Sequence, residues 1–231
     1  MSESNHNESA QANLKAKLFY ESLSVLAQQG QSSLFISIAN GAIVYFFLNP
    51  LSTSNFMSYW LAALLAVSIA RFVLVRAFFS MEEDSVRLRG WLTTYLVMIY
   101  LSALCWGVLP LTELFRTTNL SFAFIIFVIA GMSAGALVSL YARLDAVIPY
   151  LAIILFPLIY ALSVGSAGEQ IEMAILAGLF LVMLVRSSYG LSASARKTMM
   201  LEVQNSELFD FLLKSNKVEE SKLPRTDSYE I

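Results

Sequence analysis

Six apolar runs, each about as long as a membrane is thick, constrain this chain more than any other feature. The hydrocarbon core of a bilayer is about 30 Å deep and takes about 20 apolar residues of helix to cross. Residues 33–49, 56–75, 91–112, 120–140, 146–164 and 171–191 meet that requirement, the first being the shortest. Backbone polar groups inside lipid have no water to bond, so each run must satisfy its own, as a helix does. The composition agrees. Hydrophobic residues make up 57% of the chain and charged residues 14%, where a soluble domain carries roughly a quarter charged. Breakers fall where gaps are needed, as NPLSTSN at 49–55 and GSAGEQ at 165–170. The expected fold class is therefore all-α, a polytopic membrane protein of six transmembrane helices with helical N- and C-terminal segments. A net charge of −2 gives no sign of nucleic-acid binding.

Charge then selects a direction. Threading six spans puts Lys15, Lys17, Arg71, Arg76, Arg87, Arg89, Arg143, Arg186 and every later basic residue on one side, and Arg116 alone on the other. The positive-inside rule makes the rich side cytoplasmic, so both termini are expected inside. Three parts follow. Residues 1–30 form a cytoplasmic polar tail and interfacial helix, 31–195 the six-helix domain, and 196–231 a cytoplasmic helical arm and tail. The first part lacks the short apolar core of a cleavable signal peptide and is expected to stay attached. Within it residues 9–29 place Leu14, Leu18, Val25 and Leu26 at helical spacing among polar residues, which predicts a helix lying along the inner membrane surface, with a disordered tail as the alternative.

Reactive chemistry is sparse. The single histidine, His6, sits in the polar tail, and the single cysteine, Cys105, lies deep in the third run. That argues against a bis-histidine haem, a zinc site or a histidine-based triad, and Cys105 reads as a packing residue. No glycine-rich phosphate loop is present. Glu113, Asp145 and Glu172 stand at span ends rather than mid-membrane, where an ion path would keep a carboxylate. Arg71 and Arg186 are the charges inside apolar runs, close enough to the cytoplasmic ends for their side chains to reach headgroups. No enzyme activity, cofactor or metal is expected. Packing and recognition remain. In the fourth run Gly131, Ala134 and Gly135 make a small-residue stripe that favours close helix packing, with a neighbour in the same chain favoured over one in a second copy. Pro110, Pro149 and Pro157 are expected to bend spans three and five and open cavities. Asn40, Tyr100, Trp106 and Tyr160 are the candidate lining residues, with Tyr95, Tyr141 and Tyr150 beside them.

After Leu191 no proline or glycine interrupts the chain until Pro224, so the last span is expected to continue as a cytoplasmic helix. Leu201, Leu208 and Phe211 form its expected contact stripe, toward a second copy or a signalling partner. Gln204, Asn205 and Ser215 occupy places a strong zipper would fill with leucine, and a helix lying on lipid is the rival reading. The order of features is RLRGW at 87–91, CWGVLPL at 105–111, AGMSAGALVSLYARLDAVIPYLAIILFPL at 130–158, and then the arm. Over residues 30 to 220 or so it resembles the six-span N-terminal sensor regions of bacterial diguanylate cyclases and sensor histidine kinases. In those proteins a Trp-Gly pair, a glycine-rich fourth span and a proline-bearing fifth span recur, and a connecting helix leads to the enzyme. RTD at 225–227 is similar to the opening of a cyclase domain, but no GG(D/E)EF loop or phospho-accepting histidine segment follows. The resemblance thus implies a sensory or regulatory module of the bacterial inner membrane, without cyclase or kinase activity. It leaves the signal, the small-molecule ligand and the effector open. A small transporter or channel subunit is the alternative. It would call for a polar path through the spans and an internal repeat, and neither is visible.

Overall fold

The structure, a computed structural model, describes residues 2–80, 85–164 and 168–222. Among them there is no strand. The helices are α1 (Ser2–Leu48), α2 (Phe56–Phe79), α3 (Ser85–Gly107), the single turn α4 (Leu114–Thr117), α5 (Asn119–Leu140), α6 (Leu144–Ser163) and α7 (Gly168–Lys222). Short 3-10 turns cover Asn49–Leu51 and Leu109–Leu111, each carrying a proline. Six helical segments are long and apolar enough to cross a membrane. The chain is all-α with membrane-spanning helices, as its apolar runs predict.

Local chemistry sets several boundaries. Before α5 the run Thr118–Ser121 forms a capping box. The Ser121 N–H donates to Thr118 Oγ1 at 3.0 Å, and the Thr118 N–H donates to Ser121 Oγ at 3.1 Å. Two orphan donors at the helix start are thereby satisfied. Pro110 falls in the turn that follows α3. Pro149 and Pro157 do not divide α6, which runs unbroken from Leu144 to Ser163.

What those two prolines do is free carbonyls. A helical proline has no N–H for the carbonyl four residues earlier, which leaves Asp145 O and Ile153 O without helical partners. Both turn up at the contact with α3. The Tyr100 hydroxyl donates to Asp145 O at 2.5 Å. Gly107 comes so close to Ile153 O that a Cβ built on the glycine would stand 2.6 Å from that oxygen. Further along, Arg116 Nη2 donates to Ala161 O at 3.3 Å. α3 and α6 therefore run parallel, in a register fixed by three contacts to backbone carbonyls.

α6 is the hub of the bundle, packed against α3, α5 and α7. Its buried side chains, among them Val147, Tyr150, Ile154, Leu158 and Leu162, repeat at three- and four-residue spacing around much of the helix. α1 packs on α2 and α5, and α2 on α3. Tyr45 OH meets Ser58 Oγ at 3.4 Å, and Phe47 lies against Phe124 with centroids 4.3 Å apart. Trp60 Nε1 donates to Cys105 O at 2.6 Å and Trp91 Nε1 to Leu74 O at 2.7 Å. Outward faces carry large apolar groups such as Phe46, Phe127 and Val182, as suits a surface solvated by lipid.

Three expectations need correction. Residues 9–29 do not form a separate surface helix, because α1 is continuous from Ser2 to Leu48 and Leu23, Leu26 and Ala27 are fully buried in the core. The expected boundary at 30/31 falls inside α1, whereas at 195/196 the last span continues into the arm as one helix, as the lack of proline and glycine there predicts. Gly131, Ala134 and Gly135 face away from the rest of the chain: all three are exposed, and a Cβ on either glycine would meet nothing within 4 Å. The inward face of α5 is instead Ile125, Ile129, Ser133, Ala136 and Leu140.

Candidate functional site

Arg71 holds the least expected position in the bundle. It lies on the inward stripe of α2, Met57, Trp60, Leu64, Ser68, Arg71, Val75 and Phe78, and is 5% exposed. Its side chain therefore does not run out to headgroups, whereas Arg186 on α7 is exposed. The guanidinium lies over the ring of Tyr95, 5.7 Å from its centroid. Its Nε has no hydrogen-bond partner, and no carboxylate among the described residues pairs with it. Tyr95 extends this cluster. It stacks on Trp91 at 4.8 Å and 13°, Trp91 meets Phe78 at 4.7 Å, and Phe78 stacks on Tyr20 at 5.8 Å. The Tyr95 hydroxyl is itself buried and unpartnered, and its end is seated on Gly30 of α1.

A buried charge without a counter-charge costs stability. Arg71→Met is expected to hold the same volume without the charge. It should be at least as stable as the parent, by about 1 kcal/mol or more, when thermal unfolding is followed in detergent. A clear loss of melting temperature in Arg71→Met would show that the guanidinium is paired and stabilising. In hindsight the sequence carries a signal for this residue: Ser68 and Arg71 place two polar groups three residues apart on one face of an otherwise apolar helix.

The candidate cavity residues do not converge. Asn40 Nδ2 donates to Met132 Sδ at 3.4 Å between α1 and α5, and Tyr100 is used on Asp145 O. Trp106 is fully buried, edge-on to Trp60 at 5.4 Å, and Tyr160 is 62% exposed. Tyr95 lies under Arg71 and Tyr150 is buried in the core, while Tyr141 packs beside α7. Among the described residues no group of three His, Cys, Asp or Glu side chains is placed to hold a metal ion.

A cleft of about 610 Å³ opens elsewhere, where α1, the α5–α6 turn and α7 meet. α1 and α7 continue past the point where α5 turns back into α6, so the short turn leaves a notch between two long helices. Ala142, Ala195 and Met199 form a small apolar cluster there with Leu18, Val25 and Tyr141. Arg143 enters the cleft with its Nε and Nη2 on Asp145 at 2.9 and 2.6 Å, and its guanidinium lies over Phe19 at 5.5 Å. Arg196 also lines the cleft and makes no ion pair with a described residue.

α7 as a whole is a single helix of 55 residues, about 80 Å long at 1.5 Å per residue, and it continues past this cleft to Lys222. On its arm Leu201, Leu208, Phe209, Leu212 and Leu213 are exposed; the side chain of Phe211 lies outside the described residues. No family model, curated protein or solved structure matches the chain.

Proposed function

We propose that the chain is a membrane-embedded sensory or regulatory module whose output runs through α7 to a cytoplasmic effector, with both termini in the cytoplasm. The observation that supports this most is the continuity of α7. The helix crosses the bundle against α6, is held by α1 at Ala195 and Met199, and carries on to Lys222 with an uncovered apolar face. No glycine or proline follows Gly190 before Pro224. A tilt or rotation of the spanning part is therefore delivered to the arm without a hinge. A signal acts in such a device by binding one arrangement of the helices better than another. Exposed leucines on the arm suit association with a second copy or with the effector. The 14 basic residues assigned to the termini's side support the orientation, with Arg116 the exception.

One engineered chain tests both parts. In a Cys105→Ala background, Leu208→Cys is expected to react with a membrane-impermeant thiol reagent in inverted vesicles and not in intact cells. It should also cross-link to a second copy several-fold better than Glu207→Cys, since adjacent positions point about 100° apart around the helix. Labelling from outside would overturn the orientation. Equal or absent cross-linking at both positions would overturn the paired arm and favour a helix lying on lipid.

A further inference from the structure

We propose that the cleft between α1, the α5–α6 turn and α7 binds the headgroup of one anionic phospholipid. The first argument is depth. α6 has 20 residues, about the length that crosses a hydrocarbon core, so its ends mark the two edges of that core. The cleft lies at the Leu144 end and therefore at headgroup level. The second argument is chemistry. Two guanidinium groups, Arg143 and Arg196, and one carboxylate, Asp145, line the cleft. That leaves one formal positive charge, matched by the single negative charge of a phosphodiester. Arg143 is already held by Asp145 and Phe19. Arg196, without an ion-pair partner among the described residues, supplies the open donors. A guanidinium fork suits phosphate oxygens in particular. The third argument is the wall: Leu18, Phe19 and Met199 give the glycerol and upper acyl segments an apolar surface. A bound lipid would touch all three elements at once and tie α7 to α1 and the turn. This assignment does not depend on the signalling reading, because the cleft takes a headgroup whether or not α7 relays anything.

The test uses the full chain released from bilayers of mixed phosphatidylglycerol and phosphatidylcholine, with retained lipid counted by native mass spectrometry. One phosphatidylglycerol per chain is expected, in preference to phosphatidylcholine. Arg196→Gln should weaken its retention by about tenfold, the scale of one lost hydrogen bond to a charged group. Arg186→Gln, on the same helix and outside the cleft, should leave retention nearly unchanged, and both variants should melt like the parent. Equal losses in the two variants would mean general surface attraction and overturn the site. Lack of preference for phosphatidylglycerol would do the same. Displacement of the lipid by millimolar inorganic phosphate would assign the cleft to a soluble phosphate ligand and sink the lipid assignment.

Discussion

Gly107→Ala is expected to loosen the contact between α3 and α6. The new Cβ would stand 2.6 Å from Ile153 O and 3.5 Å from both Ile153 C and Ile154 Cα. These are backbone atoms of the bundle's hub, and none of them swings aside as a side chain would. Relief requires α3 to move away from α6, which would strain the neighbouring contacts of Tyr100 on Asp145 O and Arg116 on Ala161 O. Forcing extra volume into a packed core costs about 1–3 kcal/mol. In a chain of this size that corresponds to a fall in melting temperature of roughly 2–12 °C. Gly178→Ala is the control, because its Cβ would meet nothing within 4 Å and alanine is the better helix former by about 1 kcal/mol. The two substitutions should therefore move thermal unfolding in opposite directions. If Gly107→Ala melted with or above the parent, the close approach of the helices would be refuted.

How much of this was legible in the sequence depends on what the bilayer reveals. The number of spans was, because each must be long and apolar, and NPLSTSN separates the first two as its composition implies; residues 165–167 of the expected GSAGEQ gap lie outside the described residues, and 168–170 already belong to α7. Which face of each span turns inward was not. Lipid is as apolar as leucine, so an inward and an outward face need not differ in hydropathy. On α5 the small residues Gly131, Ala134 and Gly135 face out, while Ile125 and Ile129 face in. Spacing alone could not choose between those stripes. Arg71 was misplaced for a related reason: nearness to a span end is consistent with reaching the headgroups and equally with burial against Tyr95. The prolines of α6 were visible as features, but their effect required the partner helix. Only with α3 in place do Asp145 O and Ile153 O become the points where Tyr100 and Gly107 meet α6. The start of α1 was misread because its polar residues set the composition, while Leu23, Leu26 and Ala27 pack into the core.

Gly30 offers the sharpest test of that last correction, since it sits at the boundary where a surface helix was expected to give way to a span. A Cβ there would stand 2.0 Å from the Tyr95 hydroxyl oxygen and 3.2 Å from Cζ. Tyr95 has little room to yield, being fully buried, stacked on Trp91 and covered by Arg71. Gly30→Ala is therefore expected to destabilise the bundle by about 1–3 kcal/mol through overpacking. Tyr95→Phe should behave differently. It removes a buried hydroxyl that has no hydrogen-bond partner, so a desolvation cost of about 1–3 kcal/mol disappears with it. The single change is expected to be neutral or stabilising. The double variant Gly30→Ala/Tyr95→Phe then takes the methyl group into the space the oxygen has left, with a residual squeeze against Cζ. It should melt within roughly 1 kcal/mol of Tyr95→Phe alone, so most of the cost of Gly30→Ala appears as coupling, inside the range of about 0.5–3 kcal/mol seen for residues in contact. Thermal unfolding of the four proteins in one detergent reads this directly. Additive effects would mean that Gly30 and Tyr95 do not touch. The first half of α1 would then lie outside the bundle, on the membrane surface, rather than packed against α3.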